Sequence, residues 1–441
     1  MLINIILMLS IYLPFEDFLL KWLPVSEGTY MYLRQVPDVI VLFIFALLFL
    51  SSAFRDRLRV PSKDALLYLS LFIVFSGFTV LLNGSSFLNA LVSVKALVRY
   101  VFLVFILYLL KPTKTHAIFF VKMVIGIAFV EATVGFSEFL GGEAIREFFR
   151  PRLLSGEWGI RFGTVLRDDT FGTMAYTINY ASFLLLAIIF LIIFGRYIGY
   201  RRQTMWSCGA YFLMAILLSG SRAVFLTTFL AIGIIIMFRH GIRIVVYLAG
   251  FSLVAMYALL FMEHGTSYKD FWYFLSPNVF DVMESQRFGM VRIFIEYVTA
   301  LDRHLFFGLS PDKDHIIQYI IGNYRMPVLF SSSTLIAIED VFWIAIVFYY
   351  GIIGVGLFMM LIYNIYMRLK ATEAYPGLTE FQADMVLSSK VIMLTLLPLN
   401  FLNQMFSVRT FSFYVWTMVG LTFAVSRYAA RDKVANEDIT N

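Results

Sequence analysis

Apolar residues fill most of this chain in long runs that short polar segments separate. Such runs predict membrane-spanning α-helices, because a bilayer offers backbone N–H and C=O groups no partners except each other. The pattern predicts an all-α, polytopic membrane helix bundle with about twelve transmembrane helices, forming a single integral membrane domain over residues 1–441. The predicted spans are about 2–20, 36–54, 65–83, 93–110, 117–139, 174–194, 205–219, 223–238, 243–262, 341–367, 388–406 and 411–427.

Composition agrees with this pattern. The chain is 60% hydrophobic and 15% charged, with a mean hydropathy of +0.82, whereas soluble domains contain about 25% charged residues. The net charge of +6 therefore does not indicate a nucleic-acid partner and has to be interpreted loop by loop. The single cysteine, Cys208, excludes an intramolecular disulfide and a cysteine metal cluster. Residues 1–14 lack the charged start of a cleavable signal, and we expect them to belong to the first span.

Basic residues fall in every second connection between the predicted spans, which places those connections and both termini in the cytoplasm. Two long segments then lie on the other side, an outer loop at 140–173 and a large periplasmic loop at 263–340 that contains surface helices. Residues 428–441 are expected to form a flexible cytoplasmic tail. The basic connections carry Arg55, Arg57, Arg59 and Lys63; Lys111 and Lys114; Arg196, Arg201 and Arg202; Arg239 and Arg243; Arg368 and Lys370; Arg427, Arg431 and Lys433.

Arg222 follows Ser219-Gly220-Ser221 at the turn between two apolar runs. Guanidinium stays protonated, so its position at a membrane turn indicates an anion site on the outer face. The alternative is an arginine that only anchors the hairpin to lipid headgroups. A second cation inside a predicted span, Arg99, is expected to form an ion pair with Glu131 or Glu138 of the next span, or to contact lipid phosphate.

The segment 285–298 is predicted to be an amphipathic helix on the membrane surface. Ile293, Tyr297 and Leu301 recur at i, i+4 and i+8, which gives the helix one apolar face. Arg287 and Arg292 are five residues apart and so lie on different faces, from which they can still flank a ligand.

Two carboxylates, Glu339 and Asp340, stand at the mouth of the span predicted at 341–367. Beside arginine-rich loops they could act as a general base. The alternative is that they only cap the helix that follows.

In order along the chain, these features resemble the O-antigen ligase and polymerase superfamily, which comprises the Wzy polymerases and WaaL ligases. The resemblance covers about residues 90–365. It includes the Arg222 hairpin, a long loop opening with Arg287-x4-Arg292, a turn at Gly308, and a helix entered near Asp340 that carries Gly351-Ile-Ile-Gly354. Arg161-Phe162-Gly163-Thr164 is similar to the Arg-x-x-Gly type of outer loop found in this family.

The resemblance implies a metal-independent, inverting GT-C type glycosyltransferase that uses no cofactor. It would polymerise undecaprenyl diphosphate-linked oligosaccharide repeat units, as donor and acceptor, into surface polysaccharide on the periplasmic face. Membrane lipids are further partners, and a polysaccharide chain-length regulator is left open. The diphosphate-binding candidates are Arg222, Arg287, Arg292 and Arg161, and the catalytic candidates are Asp340, Glu339 and His304.

One departure from the family pattern is informative. The ligases carry His-Asn where this chain has Asp340-Val341, and a glutamate where it has Tyr349. This favours the polymerase over the alternative of an O-antigen ligase, which transfers the glycan to lipid A core. A second alternative is a lipid-linked oligosaccharide flippase or another transporter, in which cations would be expected in a cavity within the spans.

Overall fold

The computed structural model describes residues 1–53, 61–150, 170–174, 176–241, 287–300, 303–323, 341–402 and 404–440. Every regular element in these ranges is a helix. The helices are α1 (Leu2–Lys21), α2 (Glu27–Leu33), α3 (Val36–Ala53), α4 (Lys63–Asn83), α5 (Phe87–Val98), α6 (Phe102–Leu110), α7 (Lys114–Phe149), α8 (Thr177–Ile198), α9 (Arg202–Leu218), α10 (Arg222–His240), α11 (Arg287–Thr299), α12 (Arg303–Phe307), α13 (Lys313–Asn323), α14 (Phe342–Glu373), α15 (Glu380–Leu402) and α16 (Arg409–Thr440).

Eight helices in the described part of the chain are long and apolar enough to cross a membrane, and a ninth results if the bent pair α5–α6 is one span. The expectation of a multi-pass helical membrane protein agrees with this count. Of the other predicted spans, 205–219 and 411–427 coincide with α9 and α16, and 243–262 lies outside the described residues. The helical backbone of α16 continues to Thr440, through the stretch expected to be a flexible tail.

One end of the bundle is defined by the carboxylate of Asp384, near the start of α15. Arg196 of α8 and Arg239 of α10 both bind it, at 2.7 and 3.1 Å. Lys114, the first residue of α7, lies over the ring of Phe381 beside it. We call this the Asp384 end. The ends of α8 and α10 therefore meet the starts of α7 and α15 there, as expected for antiparallel neighbours.

The opposite end, called here the loop end, carries the turn at 84–86, the segment 303–312, the start of α14 and the turn at 404–408. An aromatic cluster of Phe18, Trp22, Phe148 and Phe149 joins α1 to α7 there, with ring centroids 5.0 to 6.1 Å apart. Lys21 donates to the carbonyls of Glu147 and Phe148 at the end of α7. Aromatic rings of this kind are typical of a membrane–water interface.

Two of the long helices are interrupted by a glycine with positive φ. In α7 the break is at Gly142, and the short piece that follows carries Phe148 and Phe149. In α14 the break is at Gly351, which has φ +62° and ψ −176°. A broken helix inside a membrane leaves backbone groups that need new partners. The partners at Gly351 come from a distant segment, described below.

Candidate functional site

Several of the predicted site residues can be placed only by their backbone. Arg222 begins α10, Arg287 begins α11 and Arg292 lies within α11. The side chains of these three arginines are outside the described part of the structure, as are Arg161, Glu339 and Asp340 in full.

Arg222 lies at the loop end, as the packing of α10 on α15 indicates. The contact between Arg239 and Asp384 fixes the other end of α10, and Arg222 is about 25 Å further along its axis. The same rise along α15 from Asp384 reaches Phe401, in its last turn and about one turn beyond Leu397. The carbonyl of Leu397 accepts a hydrogen bond from the indole of Trp343, in the first turn of α14. The start of α10 therefore lies within about one helical turn of the level of the start of α14.

Helix α11 packs on the part of α14 that precedes the break. Ile293 and Tyr297 are buried, and the Tyr297 ring lies 4.7 Å from that of Phe348, which also meets Phe294 at 6.1 Å. The apolar face predicted from Ile293 and Tyr297 is confirmed, while Leu301 lies outside the described residues. The face contacts the helix bundle, so Arg287 and Arg292 are carried by an element fixed to α14.

His304 lies in the short helix α12, directly after α11. Its ring is half-buried and meets the Tyr319 ring of α13 edge-on, at 5.3 Å between centroids. Its carbonyl accepts hydrogen bonds from the hydroxyl of Tyr297 at 2.5 Å and from the N–H of Gly308 at 2.7 Å. His304 is therefore held at the junction of α11, α12 and α13, close to the break in α14.

The segment after α12 crosses the break in α14 at close range. Gly308 has φ +79°, and a Cβ placed on it would lie 2.4 Å from the carbonyl oxygen of Tyr349. A Cβ on Gly351 would lie 2.3 Å from the carbonyl oxygen of Phe306. In an unbroken helix the carbonyl of Phe348 would accept from residue 352; here it accepts from the N–H of Leu309 at 2.8 Å. Two glycines are needed at this crossing because the two backbones touch.

Polar side chains fasten the same segment to the turn between α4 and α5. The Asp312 carboxylate accepts from the N–H of Ser86 at 3.2 Å and from the side-chain amide of Asn89 at 3.3 Å. Asn83 donates to the carbonyl of Gly308 at 3.2 Å, and the hydroxyls of Ser85 and Ser310 are 2.5 Å apart. Asp312 is buried, and its hydrogen bonds join the segment after α12 to the α4–α5 turn, more than two hundred residues earlier in the chain.

A buried ionic cluster, which the sequence analysis missed except for Arg99, is also found at the loop end. Asp38, at the start of α3, is fully buried and is surrounded by donors. We call this cluster the Asp38 network. Asp38 accepts from Arg99 at 3.0 Å, from Tyr100 at 2.8 Å and from Arg409 and Lys95 at 3.3 Å each.

Two further carboxylates complete the Asp38 network. Glu16 of α1 binds Arg409 at 2.6 Å, and its neighbour Asp17 binds Arg34 at 2.8 Å. Arg99 also donates to the carbonyl of Ser407, at 2.9 Å. The network thus joins α1, α3, the α5–α6 bend and the start of α16. Its members are Glu16, Asp17, Arg34, Asp38, Lys95, Arg99, Tyr100 and Arg409.

Arg99 forms an ion pair, as expected, but the predicted partner is wrong. It binds Asp38 and not Glu131 or Glu138. Glu138 accepts the N–H groups of Phe171 and Gly172, at 3.0 and 2.9 Å. Glu131 accepts from the N–H and hydroxyl of Thr173, at 2.9 and 2.5 Å. Both glutamates therefore hold a short backbone segment against α7. Helices adjacent in sequence were assumed to supply the partner, whereas Asp38 comes from a helix two spans earlier.

Comparison with known proteins does not assign this chain to a family. No protein-family model matches the sequence, and no curated protein is significantly similar to it. Within the described ranges, no three side chains of His, Cys, Asp or Glu come together as they would around a metal ion.

Proposed function

We propose that this protein polymerises lipid-linked oligosaccharide repeat units, carried on undecaprenyl diphosphate, by glycosyl transfer at the loop end of the bundle. The observation that carries the proposal is the convergence of three elements on one end. The start of α10 with Arg222 lies near the start of α14, and helix α11 with Arg287 and Arg292 and helix α12 with His304 lie against α14 before and at its break. A flippase would be expected to place its cations in a central cavity instead.

In this proposal the arginines receive the diphosphate that leaves with the carrier lipid. Guanidinium suits this task because its planar fork binds phosphate oxygens in pairs and keeps its charge. Arg222 and Arg287 are the first choices, followed by Arg292 and Arg161. Asp340, with Glu339 or His304 in its place, takes the proton of the acceptor hydroxyl.

The proposal includes a topology. We infer twelve spans with both termini in the cytoplasm of a bacterial inner membrane, so that the loop end and residues 263–340 face the periplasm. The eight apolar helices and the alternating basic connections support it.

The test replaces Arg222 and Arg287 separately with alanine in cells that make the polymer, and follows chain-length ladders on gels. Removing a donor to developing charge is expected to lower the transfer rate roughly 100-fold, so the ladders should shorten or vanish. Arg202→Ala is the matched control, since that exposed arginine begins α9 near the Asp384 end and should leave the ladders unchanged. Normal ladders from both alanine variants at normal protein levels would refute the diphosphate assignment.

A reaction with purified protein separates the alternatives. Polymer formed from a lipid-linked repeat unit alone supports the polymerase, whereas a requirement for lipid A core supports the ligase. In the same assay Asp340→Asn should abolish transfer if Asp340 is the base. An unchanged rate would reduce Asp340 to a helix cap.

A further inference from the structure

The Asp38 network has unequal numbers of positive and negative groups. Four cations face three carboxylates, which leaves one positive charge without a partner inside the network when all are ionised. Charges in a membrane are costly unless they are paired. Among the described residues, this imbalance leaves the network one anion short. The cations are Arg34, Lys95, Arg99 and Arg409, and the carboxylates are Glu16, Asp17 and Asp38.

Lys95 and Arg34 are the most exposed cations of the network, each with a side chain 22% exposed, but Arg34 already binds both carboxylate oxygens of Asp17. Arg99 and Arg409 are deeply placed, and each is shared between two acceptors. The side chain of Lys95 is 22% exposed and contacts only the side-chain oxygen of Gln35 and the carboxylate of Asp38 among the described groups. An ammonium has three N–H donors, so one remains for a further acceptor.

The depth of this site matches the headgroup region of a bilayer. Asp17 and its partner Arg34 are part of the network, and Phe18 follows Asp17 directly in α1. Phe18 belongs to the aromatic cluster at the loop end, where rings typical of a membrane interface gather. The network therefore adjoins the level at which lipid phosphates lie.

Apolar surface flanks Lys95 on both helices that meet there. Val39 and Phe43 follow Gln35 at intervals of four residues, and each is 61% exposed. Leu91 and Val92 precede Lys95 by four and three residues, and each is 53% exposed. Side chains at these spacings share a helix face. A ligand that presents a phosphate to Lys95 thus has apolar surface beside it for hydrocarbon.

We propose that Lys95 binds the phosphate group of a membrane lipid, which supplies the anion missing from the Asp38 network. Lysine suits this role because it binds phosphate as a compact point charge and tolerates an approach from several directions. The site does not depend on the proposed glycosyl transfer. It is defined by bound lipid and not by polymer formation, so either proposal can fail without the other.

The test is native mass spectrometry of the purified, delipidated full-length protein, titrated with phosphatidylglycerol or phosphatidylcholine. Wild-type protein should retain one phosphatidylglycerol more tightly than phosphatidylcholine, whose choline offsets the phosphate charge. Lys95→Gln keeps the length of the side chain and removes its charge, and should weaken that first binding step roughly tenfold. Lys63→Gln, at an exposed lysine that begins α4 at the far end of that helix from Asn83, is the control and should bind as wild type does.

A second variant changes affinity in the opposite direction, so that a loss of folding cannot imitate it. Asp17→Asn removes one carboxylate and raises the excess charge of the network by one. It should bind phosphatidylglycerol several-fold more tightly than the wild type. Weaker or unchanged binding by Asp17→Asn would overturn the charge argument.

Undecaprenyl phosphate in the same titration identifies the source of the phosphate. If it binds more tightly than phosphatidylglycerol and depends on Lys95, the natural ligand is a carrier lipid; the reverse order assigns a glycerophospholipid. Both outcomes support the site. Equal affinities for all lipids, or equal losses in Lys95→Gln and Lys63→Gln, would show only general attraction to the protein surface and would overturn the proposal.

Discussion

At the scale of single residues, Gly308 and Gly351 bring two backbone segments into direct contact. Both have positive φ, and each would bring a Cβ within 2.5 Å of a carbonyl oxygen of the other segment. No flexible side-chain end is involved that could move away, because the opposing atoms are backbone. The crossing therefore requires glycine at both positions for two reasons. Other residues avoid the positive φ, and their Cβ would overlap the opposing backbone.

Gly351→Ala is expected to destabilise the protein, because the added methyl group must displace the carbonyl of Phe306 and also adopt a φ that alanine avoids. A cost of about 2–4 kcal/mol should appear as a lower thermal denaturation midpoint of the detergent-solubilised protein. Gly356→Ala is the matched control five residues along the same helix. A Cβ there meets nothing within 4 Å. A Gly351→Ala midpoint equal to that of Gly356→Ala would show that the crossing is not tight.

At the scale of elements, the short helices α11, α12 and α13 are held by contacts at two points, near the end of α11 and just before α13. Tyr297 packs on Phe348 at the first point, and Asp312 binds the turn between α4 and α5 at the second. The elements that carry Arg287, Arg292 and His304 are thereby attached to two long helices that are far apart in sequence. Rigid attachment of this kind is what a binding site needs from its supporting elements.

Asp312→Ala should release this group from the α4–α5 turn, because the N–H of Ser86 and the amide of Asn89 lose their acceptor. Hydrogen exchange followed by mass spectrometry should show amides in 303–323 exchanging roughly tenfold faster than in the wild type. Asp314→Ala removes an exposed carboxylate two residues away and should leave exchange unchanged. Similar exchange in both variants would mean that Asp312 does not hold the segment.

At the scale of the whole molecule, the bundle has two chemically different ends. Short ionic contacts around Asp384 mark one, and the loop end gathers the broken helix, the aromatic cluster and the Asp38 network. The alternation of basic connections predicts that the Asp384 end faces the cytoplasm. The proposed chemistry requires this orientation, since the arginine-bearing elements all lie at the other end.

Cysteine labelling tests the orientation directly. In a Cys208→Ser background, Asp314→Cys should react with a membrane-impermeant maleimide applied to spheroplasts, because its exposed position lies at the loop end. Arg202→Cys should react only after the membrane is opened, because it lies near the Asp384 end. The reverse pattern would invert the predicted topology and exclude periplasmic chemistry at the loop end.

Sequence reasoning located the long helices well, because runs such as 65–83 and 174–194 differ from their surroundings in composition alone. It could not locate the Gly351 crossing, since a glycine in an apolar run has the same pattern whether it packs or breaks a helix. Asp38 was overlooked because an acidic residue in the first turn of a helix is ordinary, and its four donors come from two distant parts of the chain, residues 95–100 and Arg409. The residues of the candidate site were predicted from the sequence. The structure shows where the helices that carry Arg222, Arg287, Arg292 and His304 lie.

The crossing of Gly308 and Gly351 also has a consequence for biosynthesis. Ribosomes make residues 303–312 before residues 342–351, so the segment is synthesised before the backbone that it contacts. Its other anchor, the turn after Asn83, is already present. The loop end can therefore close only after α14 has been translated, and a nascent chain arrested before Phe342 should carry an open loop end. Folding of the loop end therefore has to wait for the synthesis of α14.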